Sequence, residues 1–194
     1  MAGEHRQPDF LSVNPSGKVP ALETGDGVIV QNGAILSYLA DMFPEARLLP
    51  HPVDARERSR ILAELFRCSS DLHPLVTRFV MSPTISTDAA DAPRIRAKAG
   101  EALALQLAPL ERRLDAQPWM LGQDWSILDA YLAWIWFRIT GVGFDQRDYS
   151  ALQTHYAKAC ERPSAIAALA HEAKAQTELK ARGLFFQPPP ADKA

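Results

Sequence analysis

Residues 14–41 hold the groupings in this chain best suited to chemistry: Asn14-Pro15-Ser16-Gly17, then Val19-Pro20, then Gln31-Asn32. Asn, Pro and Gly each favour a tight reversal, so residues 14–17 read as a turn. Residues 19–24 read as a strand, Gly25-Asp26-Gly27 as a hairpin turn and residues 28–30 as the returning strand. Asn32 stands where a short polar side chain can cap a helix. In that helix Ile35, Leu36, Leu39, Met42 and Phe43 fall on one stripe of period 3.6, and Pro44 stops it. A helix start carries free N–H groups and a partial positive charge, which together suit a carboxylate. The two cysteines, Cys68 and Cys160, lie far apart with no CxxC spacing. They make neither a disulfide framework nor a zinc site, no metal ligands are assigned, and a reducing cytoplasm is the compartment expected.

The elements that must position these groups follow from the rest of the pattern. The chain has 194 residues, 47% hydrophobic and 23% charged, which allows a sizeable core in one or two soluble domains. A net charge of -2 argues against a nucleic-acid or anionic-membrane partner, either of which calls for a basic excess. The first residues are polar and show no signal peptide. The longest apolar run, residues 130–139, is interrupted by Arg138 and is too short to span a bilayer. Pro8 and Asp9 suit the first turn of a short helix.

The proline-containing linker at residues 48–53 is the best domain boundary, and everything after it reads as helix. Residues 54–81 carry an apolar face that includes Ile61, Leu65, Phe66, Leu72 and Phe79, with Pro74 late in the helix as a source of bending. Residues 82–92 read as a polar loop. Asp91 and Pro93 open a helix in which Pro109 is expected to make a kink. Ser126 to Asp129 forms a capping box ahead of a helix that is apolar nearly all round and belongs at the domain centre. Two further helices, near 148–161 and 163–181, are divided by Arg162-Pro163. The organisation expected is residues 1–47, then a helical domain over 54–183, then a flexible proline-rich tail over 184–194.

NPSGKVPAL, a hairpin, QNGAILSYLAD and then SILDAYLAW, in that order and spacing, resemble the glutathione transferase family over residues 3–181. Ser70-Asp71-Leu72-His73 with Pro74-Leu75 is similar to a stretch of the bacterial beta class. Gly3-Glu4-His5 is similar to theta-like members, and the two classes are not resolved. The resemblance implies an α/β, thioredoxin-like N-terminal domain, here partial, followed by an all-α helical-bundle domain. It also implies a homodimer, with glutathione as co-substrate and a small electrophile as the second substrate.

Carried over residue by residue, the resemblance makes Val19 the backbone partner of the cysteinyl part of glutathione and Pro20 its cis neighbour. A cis bond is tolerated chiefly at proline, and the exposed Val19 N–H and C=O then pair with a peptide as an added strand does. Gln31 matches the residue that grips the γ-glutamyl end, and Asn32 replaces the usual Ser beside it. His5 has two readings, a contact to the glycyl carboxylate or a surface histidine. His73 likewise reads as a histidine near the active site or as a core or helix-surface residue. Phe66 and His73 are expected to line the electrophile subsite.

No catalytic residue is assigned. The family's thiol-activating Tyr, Ser or Cys lies after a first strand that, with a helix and a second strand, precedes the region matched, roughly 30 residues or more of βαβ. Ser12 and Ser16 stand in the wrong context for it. The expectation is therefore a gene product that begins upstream, and a transferase active when complete. The alternatives are a non-catalytic binding or interaction module and a glutathione-dependent isomerase, dehalogenase or peroxidase.

Overall fold

The computed structural model describes residues 3–185. Those up to Leu48, together with those from Ile166 onward, form one compact unit, and Leu49–Ala165 form a second. The division after Leu48 falls at the proline-containing stretch. The end of the second unit falls inside the last helix. Residues 1, 2 and 186–194 lie outside the described range, and with them most of the expected flexible tail.

In the first unit a 3-10 turn, Glu4–Arg6, leads to helix α1 (Pro8–Val13). Proline fits there because the first-turn N–H has no intrahelical acceptor to lose. Strands β1 (Ala21–Thr24) and β2 (Gly27–Val30) pair antiparallel, Ala21 opposite Val30 and Thr24 opposite Gly27. The expected strand start at Val19 moves to Ala21, since Pro20 has no N–H to give a ladder. Gly27 takes φ 134, open to glycine and rare for other residues. The Thr24 hydroxyl donates to the Gly27 carbonyl at 2.8 Å and closes the hairpin.

Helix α2 (Asn32–Met42) follows directly. Only Ile35 of its apolar stripe is buried, whereas Met42 and Phe43 are exposed. Among the described residues of this unit, Asn14 and Ile35 are the buried ones. Two strands and short helices do not enclose a larger core.

The second unit is helical. Helix α3 (Ala55–Phe66) starts at Asp54, whose carboxylate accepts from the Glu57 N–H at 2.7 Å. It runs through a π-helical segment, Arg67–Leu72, into helix α4 (His73–Val80). Pro74 thus lies in the first turn of α4 rather than late in one regular helix. Its missing N–H and its ring are accommodated by the wider π turn before it. Residues 82–92, expected as loop, contain 3-10 turns at Ser82–Thr84 and Ala89–Asp91.

Helix α5 (Ala92–Ala116) continues through Pro109. It is followed by helices α6 (Ile127–Thr140), α7 (Ser150–Cys160) and α8 (Pro163–Ala181). The core of this unit is built around α6, as its all-round apolar sequence predicts. Leu128, Leu132, Ile135 and Ile139 are fully buried there, with Leu65 and Leu72 from the α3–α4 run and Leu103, Leu107 and Leu110 from α5.

Side chains join these helices at three further points. Arg96 of α5 lies 4.3 Å over the Phe79 ring and donates to the Val142 carbonyl. Glu111 of α5 accepts from the Ala151 and Leu152 N–H groups at 2.7 and 2.9 Å, capping α7 from a neighbouring helix. Glu64 of α3 pairs with Arg113 of α5 at 3.0 Å and with Arg67 at 3.1 Å.

Candidate functional site

The turn that delivers Val19 is organised by the buried Asn14. Its amide nitrogen donates to the Lys18 carbonyl at 2.6 Å, and its oxygen accepts from the Ser16 N–H and hydroxyl at 3.1 and 2.8 Å. Its carbonyl accepts from the Gly17 N–H at 2.9 Å. Gly17 takes φ 59, and an added Cβ would stand 3.2 Å from the His5 carbonyl oxygen, so the 3-10 turn carrying His5 packs against this loop. The Val19–Pro20 peptide bond is cis, as the resemblance implies. Val19 is 62% exposed, and its N–H and C=O have no hydrogen-bond partner among the described residues.

The second part of the site is the start of α2. The first intrahelical bond runs from the Ile35 N–H to the Gln31 carbonyl at 3.0 Å. The cap residue is therefore Gln31, with Asn32 as the first helical residue. This corrects the placement of Asn32 as the cap, and no cap side chain bonds the helix start. The N–H groups of Asn32, Gly33 and Ala34 point out of the helix start with no acceptor among the described residues. Gln31 itself has φ 74 and ψ 119, a region that a non-glycine residue enters rarely and that concentrates at ligand-binding positions. Hydrogen-bond donors and a helix-terminus charge thus meet beside an exposed stretch of backbone, an arrangement suited to a peptide-like ligand with a carboxylate.

His73 belongs to the second unit. Its Nδ1 lies 2.8 Å from the Tyr131 hydroxyl, and its ring sits 4.6 Å from that of Trp134. Burial lowers the His73 pKa below the ordinary imidazole value, which leaves the ring neutral at neutral pH. Phe66, expected beside it on the electrophile subsite, is exposed.

The Ser12, Ser16 and Cys68 side chains are engaged elsewhere. The Ser12 hydroxyl donates to the Asp9 carbonyl at 2.7 Å, and that of Ser16 is held by Asn14. Burial, reinforced by the Glu64 carboxylate, pushes the Cys68 thiol up to about 12, so it is inert packing. No group of three metal-ligating side chains occurs among the described residues, and none of their helices is long and apolar enough to cross a membrane.

One cluster escaped the sequence reading. His155 of α7 is buried, with Nε2 2.8 Å from Asp129 Oδ1 and its ring edge on Trp119. It extends the Ser126–Asp129 capping box into a network between helices. The only sequence signal for it was a polar residue on the apolar side of α7.

The glutathione S-transferase N-terminal domain family matches residues 1–41. Maleylacetoacetate isomerase of Pseudomonas aeruginosa is 35% identical over 131 residues, 67% of this chain and 60% of that protein. Glutathione S-transferase GstA of Escherichia coli O157:H7 is 30% identical over 167 residues, 84% of this chain and 78% of that one. Among solved structures, a sphingomonad glutathione S-transferase complexed with glutathione superposes with a TM-score of 0.73 at 34% identity, covering 87% of this chain and 80% of that one.

The architecture is that of an α/β thioredoxin-like domain followed by a helical domain. The chain belongs to the glutathione S-transferase family. Its match spans less than two thirds of the length of the isomerase.

Proposed function

We propose that this chain carries the glutathione-recognition half of a glutathione-dependent transferase. The observation that carries the reading is the start of α2: a cap residue with positive φ and three N–H groups without acceptors among the described residues, next to the exposed backbone of Val19. In this reading the Val19 N–H and C=O pair with the cysteinyl residue of glutathione as an added strand does. Gln31, Asn32 and the helix terminus hold the γ-glutamyl carboxylate, and His5 is a candidate for the glycyl carboxylate.

A free thiol has a pKa of about 8.5, so a donor that stabilises the thiolate raises the reactive fraction at neutral pH. In conjugation the thiolate sulfur then forms a bond to an electrophilic carbon as the leaving group departs with the displaced electron pair. The described residues supply positioning for this step and no assigned activator. His73, neutral and set between Tyr131 and Trp134, is the candidate wall of the electrophile subsite. The protein works as a homodimer in the cytoplasm, where its two free cysteines stay reduced. A second reading, isomerisation of a small unsaturated acid, is favoured by the likeness to maleylacetoacetate isomerase.

Titration calorimetry with reduced glutathione tests recognition. Gln31→Ala removes the side-chain grip and is expected to weaken binding about tenfold, the loss of one hydrogen bond to a charged group. Parent-like affinity in Gln31→Ala, or no glutathione binding by the folded parent, would count against the assignment. Turnover of an aryl halide against that of a cis-unsaturated diacid separates the two reactions.

A further inference from the structure

The outer side of α5 carries an apolar surface that neither the helical core nor the proposed glutathione site uses. Between α5 and the residues that lead into α7 lies an open groove of about 910 Å³. Its apolar lining is Ala104, Leu105, Ala108 and Pro109 of α5, with Tyr149 beside them. The buried side of α5 is made by Leu103, Leu107 and Leu110, whereas Leu105 stands off it, 76% exposed. A lone exposed leucine is ordinary surface. Next to two alanines and a proline it becomes part of a continuous apolar patch, the kind that marks contact with another molecule.

The polar lining has a sign. Glu101, Glu111 and Asp148 stand there against one guanidinium, that of Arg112. Glu101 pairs with Lys98 at 2.7 Å, and Glu111 holds the Ala151 and Leu152 N–H groups. Asp148 has no ion-pair partner among the described residues, its neighbour Arg147 being taken by Asp145. Tyr149 responds to the same field: burial first, then the charges of Asp148, Glu111 and Asp145, raise its pKa above the ordinary phenol value. The backbone adds an acceptor. Pro109 has no N–H, so the Leu105 carbonyl loses the helical donor it would otherwise have in the middle of the patch.

We propose that this groove docks an amphipathic helix of another protein, apolar on one face and bearing lysine or arginine beside that face. From Glu101 to Arg112, α5 runs about 16 Å, three helical turns. A partner helix of that length presents its i, i+3, i+4 and i+7 side chains along one side, the pattern by which an apolar groove reads a helix. Those side chains cover Leu105 and lie against Ala104 and Ala108. Its cations meet Asp148 and Glu101, and the Leu105 carbonyl accepts from one of them. Complementary charge of this kind sets partner choice and register. The same carboxylates repel a nucleic acid or an anionic membrane. No fully buried polar side chain lines the groove to orient a small molecule.

The test is fluorescence anisotropy on the full chain with two labelled model helices of about 14 residues. Both carry leucine at i, i+3, i+4 and i+7; one has lysine on its flanks and the other glutamate. The leucine–lysine helix is expected to bind at least about tenfold more tightly than the leucine–glutamate helix. Leu105→Gln should weaken it about tenfold, the effect of removing one covered aliphatic side chain. Asp148→Lys should weaken it about tenfold as well. Glu172→Lys, the same charge change at an exposed residue outside the groove lining, should stay within about threefold of the parent.

Leu105, Asp148 and Glu172 are exposed, and unchanged far-ultraviolet circular dichroism separates lost binding from unfolding. Equal affinity for the two helices, or binding of neither, overturns the proposal. Equal losses in Asp148→Lys and Glu172→Lys also overturn it, since they mean attraction to the net charge of -2 and not to the groove. Parent-like binding by Leu105→Gln places the helix elsewhere, with the same consequence. A Leu105→Gln protein that sediments as a smaller species than the parent assigns the face to a second copy and likewise overturns the proposal.

Discussion

Replacing Asp129 with alanine should destabilise the helical unit more than any other single surface or core polar change. Its carboxylate is completely buried and accepts four hydrogen bonds at 2.8 Å, from the Met120 N–H, the Ser126 N–H, the Ser126 hydroxyl and His155 Nε2. These tie the 117–125 loop, the start of α6 and the middle of α7 to one group. A hydrogen bond to a charged acceptor contributes roughly 1.5–3 kcal/mol, and a buried donor left without an acceptor costs about 1–3 kcal/mol.

The contributions overlap because the four donors share one anion. We therefore expect a loss on the order of 5 kcal/mol, a value reached when a buried network is broken. Against a typical domain stability of about 5–15 kcal/mol this approaches unfolding. Asp129→Asn is the gentler probe: it keeps one carbonyl oxygen but sets an amide N–H against donors, and should cost roughly half as much. Urea titration followed by tryptophan fluorescence reads the change, since Trp119 packs on His155. With a slope of about 1–3 kcal/mol per molar urea, the Asn variant should shift the midpoint by roughly 1 M. A His155→Ala cycle with Asp129→Asn should show coupling of about 1 kcal/mol or more. An Asp129→Ala protein whose midpoint matches the parent would refute the network as a source of stability.

Other outcomes follow from the same kind of accounting. Burial raises the Glu64 pKa, but hydrogen bonds and charge from Arg113, then Arg67, outweigh it and leave it below its ordinary value of 4.5. Its contribution is thus present above the unfolded pKa and lost as pH falls through the folded one. The melting-temperature gap between parent and Glu64→Gln should be steady near neutrality and close below pH 4.5; a gap that widens on acidification contradicts this. Cys68, fully buried with its thiol pushed up to about 12, should resist iodoacetamide in the native protein while the partly exposed Cys160 is modified, as peptide mass mapping will show. Glu111→Ala removes the acceptor of two N–H groups at the start of α7 and should cost about 1–2 kcal/mol in urea unfolding; no loss would mean that water replaces the cap.

What the sequence made legible was local. The Asn14 turn, the hairpin, the start of α2 and the Ser126–Asp129 box are each written within a few residues, because turn and cap chemistry depends on neighbours in the chain. The all-round apolar α6 announced its central position for the same reason: burial on every side leaves no polar stripe. Boundaries shifted where backbone donors decided them. β1 begins after Pro20 instead of at Val19, and α3–α4 absorbs Pro74 with a π turn instead of a late bend. Met42 and Phe43 fit the helical period yet are exposed. Period reports which residues share a face and says nothing of what covers that face.

The candidate site divides along the same line. Val19 and Gln31 stand in backbone turns, and such turns are cued by short motifs, so the two positions were readable as a pair. The positive φ at Gln31 was not, since glutamine carries no sequence mark of a left-handed backbone as glycine does. His73 was legible as a position and not as an environment. Its lowered pKa comes from burial beside Tyr131 and Trp134, which lie 58 and 61 residues away in sequence on another helix. His155 shows the limit most sharply. Its partner Asp129 already had a complete local explanation as a capping residue, so nothing nearby in the chain called for a second role. Only the packing of α7 on α6 reveals that one carboxylate serves both a helix start and a contact between helices, and this double duty is why its removal should cost more than a cap alone.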